Sequence, residues 1–87
     1  MATERPEFTI ETLEDAGAFT VRAAGEIDVA TAPQVEAELL SLLGGGSAVT
    51  LDLSGVTFID SSGLRALVTA RQRAEEGAAG FALSGRS

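Results

Sequence analysis

Val49, Leu51 and Leu53 alternate with Thr50 and Asp52, the period of two that marks a strand with one face on a core. Past Phe58 the spacing changes. Leu64, Leu67 and Val68 recur at helical intervals, and Arg65, Gln72, Arg73 and Glu76 make up the polar side. Asp60, Ser61 and Ser62 stand between the two patterns, and all three are residue types that cap a helix by accepting bonds from its free amides. The stretch Val49–Val68 therefore predicts a strand, a short extended connector, and a helix running from about Ser62 to Glu76.

Upstream, Phe8, Ile10 and Thr12 alternate with Thr9 and Glu11, and Phe19, Val21 and Ala23 alternate with Thr20, Arg22 and Ala24. Glu14-Asp15-Ala16-Gly17 supplies turn chemistry between them, so an antiparallel hairpin is expected. Gly25-Glu26-Ile27-Asp28-Val29-Ala30 reads as a loop. Thr31, with Gln34 three residues on and Pro33 in the first turn, has the form of a capping box. Val35, Leu39, Leu42 and Leu43 then form an apolar stripe, with Glu36 and Glu38 expected to face water. Gly44-Gly45-Gly46 ends this helix. Gly77 and Gly80 close the second one, Phe81-Ala82-Leu83 reads as a last strand, and Met1–Glu7 reads as a loose terminus.

The element order is β-β-α-β-α-β. Right-handed crossovers make the last three strands parallel. A sheet that grows in one direction carries both helices on the same face, and Thr20, Arg22, Thr50 and Asp52 point away from that face. Strands covered on both sides would be continuously apolar instead. The expected fold class is α/β: one domain with a mixed four-stranded sheet and its helices mainly on one side.

Composition narrows the function. Eighty-seven residues with four Phe and no Trp or Tyr allow one modest core, and a thin stability margin. There is no Cys, which removes disulfides and thiol chemistry. There is no His either, which removes a Ser-His-Asp triad and an ordinary zinc site. A net charge of −7, with every basic residue an Arg, argues against nucleic acid and anionic membranes as partners. No apolar run reaches the length of a membrane span. A soluble, acidic, cytoplasmic domain is expected, with no cofactor.

Three constellations bear on chemistry. Gly44-Gly45-Gly46 precedes a strand, whereas a phosphate-binding loop lies between a strand and a helix and usually carries a Lys, which this chain lacks. Asp28, Asp52 and Asp60 include residues near the carboxyl ends of parallel strands, where a magnesium ion is conceivable, but no spacing is diagnostic. Asp60-Ser61-Ser62-Gly63-Leu64 is at least a helix cap, with a serine hydroxyl at the surface beside unpaired amides. Two serines are more than a cap needs, and Gly63, a poor helix former, reads as clearing space for another molecule.

Leu51-Asp52-Leu53-Ser54-Gly55-Val56-Thr57-Phe58-Ile59-Asp60-Ser61-Ser62-Gly63-Leu64 closely resembles the signature of bacterial anti-sigma factor antagonists of the STAS-domain family. Gly25-Glu26-Ile27-Asp28 followed by Thr31-Ala32 resembles that family's other marked segment. The resemblance runs from the first strand to Phe81–Leu83. It implies an anti-anti-sigma factor that binds an anti-sigma factor serine kinase while unphosphorylated and so releases the sigma factor. The kinase would phosphorylate Ser61, the first serine after the aspartate, and a PP2C-type phosphatase would reset it. Asp28 and Asp60 would frame the site, and Asp28, Asp60, Ser61, Ser62 and Gly63 would meet the partner. The chain itself would be no enzyme.

A phosphate at the start of the second helix is expected to be tolerated, since free amides and the helix dipole favour an anion there by about 0.3–1 kcal/mol. Two other readings compete: a STAS scaffold module of a sensory complex or larger assembly that is never phosphorylated, and a small transferase using Ser61, which would lack a base. Family members usually continue past the fourth strand with a helix, a strand and a helix, where this sequence stops at Gly85-Arg86-Ser87. Surface left uncovered there would favour marginal stability or self-association through an exposed edge.

Overall fold

The computed structural model describes residues 8–85; the expected loose terminus Met1–Glu7 lies outside them. Strand β1 (Thr9–Asp15) turns into β2 (Ala18–Ile27), followed by α1 (Ala32–Gly44), β3 (Val49–Ile59), α2 (Ser61–Glu76) and β4 (Phe81–Ser84). The sheet order is β1-β2-β3-β4. The β1/β2 pair is antiparallel, and β2/β3 and β3/β4 are parallel, as the crossover rule requires. The hairpin turn is the two residues Ala16 and Gly17, both at positive φ, so Glu14 and Asp15 belong to β1 and not to the turn.

The two faces of the sheet separate as the alternation demands. On one face Val21 is in register with Leu51, and both are fully buried with Ala23 and Val49 under the helices. On the other face Arg22 is in register with Asp52 and Glu11, and its guanidinium reaches Asp52 Oδ2 at 3.4 Å and Glu11 Oε1 at 4.0 Å. Opposite charges placed directly across strands support the pairing. The two helices pack against each other and share one buried cluster with β2 and β3.

Helix α1 buries Val35, Leu39 and Leu43, as its stripe predicts. Glu36 and Glu38, expected to face water, are both half-buried, and Glu38 accepts a hydrogen bond from Thr12 Oγ1 at 2.6 Å, tying β1 to α1. Helix α2 departs more. Its buried residues are Gly63, Ala66, Ala70 and Ala74, while Leu64 and Val68 are 53% and 56% exposed and Leu67 only packs at the edge of the core. Small side chains let α2 lie close on the sheet, and its large apolar ones turn outward.

Segment 25–27, read as a loop, is the end of β2. Gly25 takes φ +101, and the register shifts between Gly25 and Glu26. The extra residue at this shift is Thr57 of β3, while Gly25 supplies the positive φ on the β2 side, and the pairing runs on to Ile27 and Ile59.

Candidate functional site

Ile27 and Ile59 end adjacent parallel strands, and an aspartate follows each. The amide of Asp60 donates to the Ile27 carbonyl at 3.1 Å, so Asp28 and Asp60 emerge side by side from the carboxyl edge of the sheet. This is where open α/β sheets present their sites.

Asp28 organises the turn into α1. Its Oδ1 accepts from the amides of Ala30 at 3.0 Å and Thr31 at 3.2 Å, and its main-chain carbonyl accepts from Ala32 N at 2.7 Å. The capping box does not form. The Thr31 hydroxyl makes no cap bond to α1; it donates to the Glu26 carbonyl at 2.8 Å and accepts from Asp28 N at 2.9 Å. Thr31 thus fastens the end of β2 to the turn.

Asp60 performs the equivalent task for α2. Its Oδ1 accepts from Ser62 N at 2.8 Å and Gly63 N at 3.1 Å, and its carbonyl accepts from Leu64 N at 3.0 Å. Asp60 is therefore the N-cap, and α2 begins at Ser61, one residue earlier than the spacing suggests. The cluster of unpaired amides expected beside the serine is largely consumed by this cap. Ser61, released from capping, is exposed in the first helical position. Among the described residues its hydroxyl makes no hydrogen bond.

The rest of the motif divides. Ser62 is half-buried and lines a groove of about 420 Å³ between α1 and α2 with Val29, Pro33, Glu36, Leu40 and Arg65. Gly63 is buried, and contrary to expectation its missing side chain does not clear space for another molecule. A Cβ there would lie 2.5 Å from Ile59 Cγ1 and 2.8 Å from Ile27 Cγ2, so the missing side chain admits the domain's own isoleucines and opens no room for a visitor.

Asp52 does not join Asp28 and Asp60. It sits on the opposite face with Arg22, and its Oδ1 accepts from Ser54 N at 2.9 Å. Hydrogen bonds from Ser54, backbone first, and then the Arg22 guanidinium hold its carboxyl below the usual carboxylate range. Among the described residues no three acidic side chains gather to hold a metal, and no helix is long and apolar enough to cross a membrane.

Two exposed apolar residues near the serine, Val29 and Leu64, are not among the residues expected at the site. Val29 is 74% exposed in the β2–α1 turn, and Leu64 projects outward from the first turn of α2. The signal for Val29 is a bulky aliphatic residue placed in a turn directly after Asp28; for Leu64 it is the alanine stripe that takes the buried side of the helix.

Residues 9–87 match the STAS domain. The chain belongs to the STAS domain family. Among solved structures this STAS domain superposes on an anti-sigma factor antagonist from Mycobacterium paratuberculosis with a TM-score of 0.79 at 28% identity, covering 94% of this chain and 70% of that one. The anti-sigma factor antagonist SpoIIAA in its unphosphorylated form gives 0.76 at 22% identity, with 92% and 74% covered. The Bacillus cell fate determinant SpoIIAA in the phosphorylated form gives 0.69 at 22% identity, with 88% and 69% covered. The two SpoIIAA likenesses speak for the fold. A comparison with curated proteins gives no significant match.

Proposed function

We propose that this STAS domain is an anti-sigma factor antagonist. In its unphosphorylated form it binds an anti-sigma factor that is also a serine kinase and so releases the sigma factor; phosphorylation of Ser61 ends the binding. The observation that carries this reading is the exposed hydroxyl of Ser61, without a hydrogen bond among the described residues, directly after Asp60 at the carboxyl edge of the sheet, where Asp28 and Asp60 hold their two turns. The names of its structural relatives, one of them known in both unphosphorylated and phosphorylated forms, support it.

The switch follows from charge at an interface. The Ser61 Oγ attacks the γ-phosphorus of ATP, its proton passes to a base of the kinase, and ADP departs. The product carries up to two negative charges where the partner faces a small hydroxyl. Desolvating or repelling that charge costs the complex about 4 kcal/mol, which weakens binding roughly a thousandfold. Asp60 keeps α2 capped in both states, so the scaffold persists while the surface changes. A PP2C-type phosphatase restores the hydroxyl by hydrolysis. The domain performs no catalysis in this cycle; it works inside the cell as substrate and ligand.

The test is incubation with an anti-sigma serine kinase and ATP, followed by mass spectrometry of the phosphopeptide. Phosphate on Ser61 is the expected result. No phosphate under conditions that label a known antagonist would overturn the reading, and phosphate on Ser62 would move the switch by one residue.

A further inference from the structure

The start of α2 offers little to an anion. Asp60 takes the amides of Ser62, Gly63 and Leu64 through its side chain and its carbonyl. A phosphate on Ser61 therefore cannot settle into a nest of free N–H groups without displacing the cap. It also lies among carboxylates: Asp60 in the preceding position, Asp28 at the end of the adjoining strand, and Glu36 on α1 across the groove. A cation of the chain within reach would offset part of this charge.

Four arginines fall among the described residues, and three are placed elsewhere. Arg22 is held by Asp52 and Glu11 on the far face of the sheet. Arg71 pairs with Glu75 at 3.4 Å. Arg73 is twelve positions from Ser61 in the same helix, roughly 18 Å along its axis. Arg65 is four positions on, one turn from Ser61, where side chains meet at about 5–6 Å between Cβ atoms. It is exposed, and among the described residues no acidic group lies within ion-pair distance of it.

We propose that Arg65 is the counter-ion of a phosphate on Ser61, and that this pair, not the helix amides, accommodates the phosphorylated state. The inference rests on the reading of Ser61 as the switch. Its planar guanidinium suits a bidentate contact with phosphate oxygens. Arg65 also lines the groove between α1 and α2 with Glu36, beyond ion-pair distance, so a guanidinium drawn to the phosphate changes the distribution of charge in that groove. Phosphorylation then alters the charge of the neighbouring groove as well as that of Ser61, with the backbone unmoved.

The test places phosphoserine at position 61 during synthesis of the full chain, without a kinase, and follows the phosphorus resonance through a pH titration. The second phosphate ionisation, near pH 6 for a free phosphoserine, is pulled upward by Asp60, Asp28 and Glu36 and downward by Arg65. Arg65→Gln should raise its midpoint by roughly 0.2–0.4 of a pH unit, Arg65→Lys should recover part of the shift, and molar salt should shrink the difference between the variants. Equal midpoints in wild type and Arg65→Gln, with the circular-dichroism spectrum of each unchanged, would overturn the proposal. Because no kinase takes part, failure of kinase labelling and failure of this titration are separate results.

Discussion

Ile27 and Ile59 are register partners at the ends of β2 and β3, and the first turn of α2 rests on both through Gly63. A Cβ at Gly63 would meet Ile59 Cγ1 at 2.5 Å and Ile27 Cγ2 at 2.8 Å. Both neighbours are β-branched and stiff at χ1, so they cannot easily swing aside. Overpacking of this kind costs about 1–3 kcal/mol, and the gain in helix propensity on replacing glycine by alanine returns about 1 kcal/mol. Gly63→Ala should lose about 1 kcal/mol net in urea denaturation and Gly63→Val more. An unchanged midpoint for both would mean that α2 lies farther from the sheet than described.

The cap can be tested separately from the switch. Asp60 Oδ1 serves two amides, so Asp60→Ala should cost about 1 kcal/mol, the usual loss for a cap. Asp60→Asn keeps an acceptor oxygen and should keep most of that stability. Equal losses for both variants would show that the charge, and not the acceptor geometry, is what α2 requires.

Ser61 carries the opposite expectation. Its hydroxyl has no hydrogen bond among the described residues and is exposed, so Ser61→Ala should change stability by no more than about 0.5 kcal/mol. That variant should bind the kinase partner and accept no phosphate at this position. Ser61→Asp should lose the partner in a pull-down with its circular-dichroism spectrum intact. A Ser61→Asp protein that unfolds would assign the residue to the scaffold.

The elements and their order were legible because period-two and helical spacing survive in almost every segment. The sidedness of the sheet was legible for the same reason: Arg22 and Asp52 could only pair on a face without helices. Three features were not. The buried face of α2 is an alanine stripe, Ala66-Ala70-Ala74, and the weak hydrophobicity of alanine is masked in sequence by Leu64, Leu67 and Val68. The choice of cap among Asp60, Ser61 and Ser62 depends on a long-range bond, from Asp60 N to the Ile27 carbonyl, which no local pattern contains. The bonding of Thr31 has a related cause: its hydroxyl donates to the Glu26 carbonyl, an acceptor in place only because β2 runs on past the register shift at Gly25 and Glu26. At the site itself, the pairing of Ile27 with Ile59 is what brings Asp28 beside Asp60, and that register was hidden by reading residues 25–27 as a loop.

Asp52 gives the fold an acid-sensitive contact. Ser54 and Arg22 hold its carboxyl below the usual range in the folded state. Above the unfolded value of about 3.9 both states are ionised and the contribution is complete. As pH falls below that value the unfolded chain binds its proton first, and stability drops until the folded carboxyl is protonated too. Asp52→Asn should therefore flatten the acid limb of a thermal-denaturation profile below about pH 4 and leave the slope at neutral pH alone. An acid limb identical to wild type would show that Asp52 contributes nothing there.

Leu51 and Leu83 are neighbours in register, yet Leu51 is fully buried and Leu83 is 52% exposed. Leu83 is on the edge strand β4, beside a groove of about 550 Å³ that it lines with Leu67, Val68 and Phe81. The outer edge of β4 has no strand partner among the described residues. An apolar groove beside an open edge is what a second chain can cover, so light scattering should find association that grows with protein concentration. Val68→Ser and Leu83→Ser remove exposed apolar surface, so each should change stability by at most about 0.5 kcal/mol while together reducing that association. A monomer at every concentration, or a large stability loss in either variant, would show that this face is closed in solution.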